Sequence, residues 1–159
     1  MDAVPVRSMG VNVGQVAPDF TLPASDGSHV KLSELCAVGP VVLVFFPFAF
    51  TGVCRSELRA LEAMKEQFAN EGATIVAISC DSPYSLQTFA EAENLTFTLL
   101  SDFWPHGEVC QAFDVFLEDK GFATRGTFIL DQERIVRWSL IHGPGVERDP
   151  TLYLEALQY

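Results

Sequence analysis

The sequence predicts an α/β fold in three layers, with a central mixed sheet flanked by helices. Two runs, Val41–Phe46 and Thr74–Ser79, are rich in apolar and β-branched residues and lack the polar alternation of a half-exposed strand, so they read as strands covered on both faces. A segment of helical periodicity follows each, the pattern of parallel strands joined by crossover helices. A last pair of runs, Arg125–Leu130 and Ile135–Leu140, is separated only by Asp131-Gln132-Glu133-Arg134 and is expected to be antiparallel.

Residues 1–10 are expected to form a flexible lead and residues 11–159 a single domain, since no repeat, low-complexity tract or linker divides the chain. Phe20–Leu22 and His29–Leu32 flank Ser25-Asp26-Gly27-Ser28, a hairpin signal. Ser33–Leu35 suits a short helical turn, with Cys36 after it. Val41–Phe46 should be the central strand. After Pro47 and a short loop, Leu58, Leu61, Met64 and Phe68 recur at helical spacing opposite Glu62, Lys65 and Glu66, which predicts an amphipathic helix beginning near Cys54 with its apolar stripe on the core. Thr74–Ser79 is the next strand, and Ser82-Pro83 supplies a cap and a first-turn proline for a helix carrying Leu86 and Phe89. Phe97–Leu100 is a third strand and Gly107–Phe113 a short helix. Asp149-Pro150 caps a closing helix with Leu152, Tyr153, Ala156 and Leu157. This order of elements is of the thioredoxin-like type.

Composition narrows the function. The 159 residues include 10 Lys+Arg against 21 Asp+Glu, a net charge of −11, so nucleic acid and anionic membrane surfaces are poor partners. Hydrophobic residues at 48% and charged residues at 19% argue for a packed core. The longest apolar run, 41–50, is interrupted by Pro47 and falls well short of the roughly 20 residues of a membrane helix. Cys36, Cys54, Cys80 and Cys110 form neither a C-x-x-C pair nor a zinc-ligand motif. Without a secretory pattern in the first residues, the expected setting is reducing and cytoplasmic.

The loop from Pro47 to Glu57 carries the chemistry. It lies beyond the carboxyl end of a parallel strand, where α/β sheets bind ligands. A cysteine in the first turn of the following helix meets unpaired N–H groups and the positive end of the helix dipole, which favour a reactive thiolate at Cys54. Thr51, three residues earlier, would share a face with Cys54 if the turn is already helical, and its hydroxyl could hold a substrate oxygen against the sulfur. Glu57 is placed to orient an arginine, and Pro47 withholds a donor and shields the pocket from water.

Pro47, Thr51 and Cys54 match the P-x-x-x-[ST]-x-x-C signature of peroxiredoxins, and Glu57 matches its common extension. Gly14-Gln15-Val16-Ala17-Pro18-Asp19-Phe20 resembles that family's N-terminal G-x-x-A-P-D-F segment. Arg125-Gly126-Thr127-Phe128-Ile129-Leu130 is similar to the strand bearing its active-site arginine. Ser101-Asp102-Phe103-Trp104-Pro105-His106-Gly107 resembles the AhpE-type, one-cysteine subgroup.

The resemblance implies a thiol peroxidase acting in antioxidant defence on hydrogen peroxide, organic hydroperoxides or peroxynitrite. Cys54 would be oxidised to a sulfenic acid, with no metal or organic cofactor. The family's transition-state donors fall on the Thr51 hydroxyl, the N–H groups near Val53 and Cys54, and the Arg125 guanidinium. It further implies a homodimer and an external reductant: mycothiol with mycoredoxin, thioredoxin, or a glutaredoxin-like protein. Cys80 is the best internal resolving candidate, although buried structural roles are the expectation for Cys36, Cys80 and Cys110. A thiol-disulfide oxidoreductase is disfavoured because Arg55-Ser56-Glu57 follows Cys54 with no second cysteine. A catalytically silent thioredoxin-like module is disfavoured by the intact set of Pro47, Thr51, Cys54 and Arg125.

Overall fold

The first extended runs pair as the expected hairpin, β1 (Thr21–Pro23) antiparallel to β2 (His29–Lys31). At its turn the Asp26 carboxylate accepts from the Ser28 N–H and hydroxyl, while Gly27 takes a φ of +91°. The computed structural model describes residues 11–159, and the lead expected over 1–10 lies outside the described residues. Helix α1 (Leu32–Val38) is longer than the single turn expected and takes Cys36 into its buried face. It stops before Gly39, packed so closely that a Cβ there would stand 2.5 Å from the Gly72 carbonyl oxygen.

The alternation then runs β3 (Val41–Phe45), α2 (Gly52–Ala63), α3 (Lys65–Asn70), β4 (Thr74–Ser79), α4 (Pro83–Glu93), β5 (Thr98–Ser101) and α5 (Glu108–Ala112). It closes with β6 (Phe116–Leu117), β7 (Phe122–Ala123), β8 (Arg125–Leu130), β9 (Val136–His142) and α6 (Thr151–Ala156). The main sheet has the order β5-β4-β3-β8-β9. β3, β4 and β5 are mutually parallel, whereas β8 and β9 are antiparallel to their neighbours, so the sheet is mixed as predicted. β3 is central and every residue of it is buried, which is why it shows no polar alternation.

Successive residues of β3 point into two cores. Val41, Leu43 and Phe45 pack with Leu32, Cys36, Cys80, Cys110, Phe113 and Phe128. Val42, Val44 and Phe46 pack on the other face with Cys54, Leu58, Leu61, Phe68, Phe89 and Tyr153. Three layers follow.

Two details differ from the periodicity. The helix expected from near Cys54 to Phe68 starts at Gly52 and divides at Met64, which leaves helical geometry (φ −102°, ψ 7°) while its N–H donates to the Leu61 carbonyl. Asp149 does cap the closing helix, but from two residues before it: its Oδ1 accepts the Thr151 N–H and hydroxyl.

Candidate active site

Strand β3 ends where Pro47 has no N–H to offer. The Phe46 N–H still reaches the Ile78 carbonyl at 2.9 Å, and the chain then leaves the sheet as a loop over the start of α2. The loop is held from three directions. The Ala49 N–H donates to Asp81 Oδ2 at 2.9 Å, the Thr51 hydroxyl to the Phe48 carbonyl at 2.9 Å, and Arg55 Nη2 to the Phe50 carbonyl at 3.2 Å. Phe50 takes a φ of +68°, a left-handed conformation that costs an L-residue with a bulky side chain energy. Its ring sits edge-on against Phe89 at 5.0 Å.

Thr51 is extended rather than helical and precedes the first helical residue, so the shared helical face considered for Thr51 and Cys54 does not form. The first turn supplies donors instead. The Arg55 N–H bonds the Thr51 carbonyl at 2.9 Å, which leaves the N–H groups of Gly52, Val53 and Cys54 ahead of the first intrahelical acceptor. Cys54, fully buried, is the third residue of the helix, where those groups and the helix dipole act.

From β8 the Arg125 guanidinium spans the gap: Nη2 donates to Cys54 Sγ at 3.1 Å, Nη1 to Glu57 Oε1 at 2.7 Å and Nε to the Pro144 carbonyl at 2.6 Å. Glu57, one helical turn after Cys54, thus orients an arginine. It also binds a second, Arg148, which donates to the carboxylate through its backbone N–H (2.6 Å), Nε (2.9 Å) and Nη2 (2.8 Å). Arg148 Nη1 continues to the Gly126 carbonyl and the Thr127 hydroxyl, and Thr127 in turn donates to Tyr153. Burial alone would raise the Glu57 carboxyl, but the hydrogen bonds and charge of Arg148, with the charge of Arg125, hold it below its ordinary range. Two buried guanidiniums against one buried carboxylate leave one positive charge unbalanced beside the sulfur, and a Cys54 thiolate neutralises the set.

Cys54, Glu57 and Arg125 therefore meet, with Pro47 buried, Val53 half-buried and Thr51 exposed around them. Arg55 turns to Glu93 (3.1 Å) and the Phe50 carbonyl. His106 bridges the Phe103 and Gly121 carbonyls. Cys80 lies in the core layer on the opposite face of the sheet from Cys54 and faces Cys110. Sequence reasoning missed Arg148, because a charged residue in the loop after β9 reads as solvated and no local spacing links it to Glu57.

A thiol held among helix N–H groups and a guanidinium is equipped as a nucleophile, and its neighbours can also stabilise charge on a departing oxygen. Comparison with known proteins points the same way. The family model for the AhpC/TSA family matches residues 13–139. Alkyl hydroperoxide reductase E of Mycobacterium tuberculosis is 44% identical over 92% of this chain and 96% of its own length. The chloroplastic 2-Cys peroxiredoxin BAS1 of Hordeum vulgare is 35% identical over 92% of this chain and 75% of its own. The crystal structure of peroxidoxin BcpB from Mycobacterium tuberculosis superposes with a TM-score of 0.85 at 31% identity, covering 93% of this chain and 97% of that one. Among the described residues no helix is long and apolar enough to cross a membrane. With its thioredoxin-like fold, this chain belongs to the AhpC/TSA family of peroxiredoxins and is a thiol-dependent peroxidase.

Proposed function

We propose that Cys54 is the peroxidatic cysteine, served by Arg125, Thr51, Pro47 and the N–H groups of Val53 and Cys54, with Glu57 as the positioning residue for Arg125. The observation that carries this reading is the 3.1 Å contact from Arg125 Nη2 to Cys54 Sγ inside a buried cluster with one uncompensated positive charge. The thiolate attacks the terminal oxygen of the peroxide, so the S–O bond forms as the O–O bond breaks. Sulfur is oxidised to the sulfenic acid, and the expelled alkoxide, or hydroxide from hydrogen peroxide, takes a proton from solvent. Donors aimed at the leaving oxygen stabilise the charge that develops there.

The sulfenic acid is reduced by an external thiol in a one-cysteine cycle. The position of Cys36, Cys80 and Cys110 in the other core layer supports this, since an internal disulfide with Cys54 would have to cross the sheet. Mycothiol with mycoredoxin, thioredoxin and a glutaredoxin-like protein are the reductants to test. Four free cysteines suit a reducing, cytoplasmic setting. Exposed Phe48, Phe50, Phe103 and Trp104 support a homodimer formed around the site, and sedimentation as a monomer at micromolar concentration would refute it.

The decisive experiment treats the reduced protein with one equivalent of hydrogen peroxide in the presence of a sulfenic-acid trap. An adduct on Cys54 is expected. Cys54→Ser should abolish peroxide consumption, and Arg125→Ala should slow it by about 10²–10³-fold. Turnover retained by Cys54→Ser would sink the assignment.

A further inference from the structure

Cys80, just past the end of β4, and Cys110, in α5, bring their sulfurs within 4.0 Å of each other in the core layer away from Cys54. Neither thiol enters the mechanism above. The Asp102 carboxylate adjoins them, and one ligand atom from each of the three lies within 4.8 Å of the others. A metal ion fits poorly. Both Asp102 oxygens already accept backbone N–H donors, from Val109 at 3.1 Å and Cys110 at 2.7 Å, and three donors fall short of the four in a closed zinc site.

We propose that Cys80 and Cys110 are a second redox couple, a dithiol that closes to a disulfide under sustained peroxide and thereby acts on the loop that carries Cys54. Both thiols are buried, and in this scheme Cys80 is the sulfur oxidised first. Its sulfur takes the terminal oxygen, giving a sulfenic acid and releasing an alcohol, or water from hydrogen peroxide. The Cys110 sulfur then displaces water, the S–S bond forms, and the two thiol hydrogens leave in the alcohol and the water. The contact with Cys80, burial and neighbouring Asp102 push the Cys110 thiol up, so this oxidation is slow.

Closure draws the sulfurs from 4.0 Å to about 2.05 Å, and the shift falls on the end of β4 and on α5. The next residue, Asp81, supplies one of the three anchors of the active loop. Its Oδ2 accepts the Ala49 N–H at 2.9 Å and the Ser79 hydroxyl at 2.6 Å, its carbonyl accepts the Ser101 hydroxyl, and the Ser79 carbonyl takes the Asp102 N–H at 2.7 Å. A pull on Cys80 therefore reaches Ala49 through one residue. Formation of the disulfide does not depend on the role of Cys54, whereas its effect on peroxide reduction rests on the reading proposed above.

The test separates the two parts. Cys54→Ser protein is treated with diamide or with excess hydrogen peroxide, denatured, alkylated and mapped by mass spectrometry. The expected result is loss of two hydrogens, with the Cys80 peptide joined to the Cys110 peptide, and loss of that product in both Cys80→Ala and Cys110→Ser in this background. Oxygen adducts without linkage, linkage to Cys36, or stoichiometric zinc retained in native mass spectra would overturn the couple. In protein with Cys54 intact, peroxide consumption supported by an external thiol should fall by about tenfold or more as the disulfide accumulates. An undiminished rate in disulfide-bonded protein would overturn the coupling. A reduced protein without peroxidase activity at Cys54 would instead refute the earlier reading and leave the mapped disulfide standing.

Discussion

Replacing Glu57 by Gln separates the two jobs that the buried charge cluster performs. Glu57 is 3% exposed and accepts from Arg125 once and from Arg148 three times, at 2.6–2.9 Å. Gln keeps one acceptor oxygen but turns an amide toward guanidinium donors, which leaves two buried cations without their counter-charge. Removing one partner of a buried pair costs about 3–5 kcal/mol, and for a chain of this size the melting temperature should fall by roughly 6–20 °C. The sulfur is affected as well. With the carboxylate gone the positive charge beside Cys54 grows, while Arg125 loses the contact that aims it. Peroxide consumption should therefore slow. The pH dependence of stability has a definite sign. The carboxyl of folded Glu57 lies below its ordinary 4.5, so its contribution is complete above that value and is lost as pH falls through the lower folded one. Denaturant unfolding of the native protein should weaken below about pH 4.5, and the variant should lose less stability over that range. A variant with unchanged melting temperature and peroxide kinetics would refute the claim that Glu57 holds both arginines.

Thr51→Val removes a hydroxyl that donates to the Phe48 carbonyl, and peroxide reduction should slow by about 10²-fold while Thr51→Ser restores most of it. Stopped-flow peroxide consumption reads this, and a Val variant as fast as the native protein would remove Thr51 from the site. Gly39→Ala would press a Cβ to 2.5 Å from the Gly72 carbonyl, a backbone atom with little freedom to move, and should cost about 1–3 kcal/mol in urea unfolding while leaving peroxide kinetics unchanged.

How far the sequence could be read depended on whether a feature leaves a local signal. β4 spans the residues expected because five of its six positions are buried and Ile75–Ile78 form an unbroken apolar run. Ser82-Pro83 marked the start of α4 for a local reason as well, since the Ser82 hydroxyl accepts the Ser85 N–H. Cys54 stood out from the other three thiols by its place at a helix start, and Glu57 by its spacing from it. The β6–β7 hairpin was not anticipated, because strands of two residues are too short for periodicity to register. Arg148 and the Cys80–Cys110 pair are long-range features. Arg148 lies 91 residues from Glu57, and the two sulfurs come from segments 30 residues apart, so only the packed sheet brings them together.

The acidity of the chain and the charge at its reactive sulfur answer to different distances. A net charge of −11 produces a field that steers charged partners and is screened within about 8 Å in physiological salt. A neutral peroxide does not respond to that field, so the fold carries its acidity without slowing the encounter. With Cys54 proposed as the peroxidatic cysteine, what governs the reaction is the Arg125 guanidinium 3.1 Å from its sulfur, shielded from salt by burial. A buried excess of one positive charge has to be relieved, and ionising the cysteine does so without admitting water or another ion. On this argument Glu57 limits the charge as well as placing it. Without the carboxylate, two buried guanidiniums would face one sulfur, and a single thiolate could no longer neutralise the set.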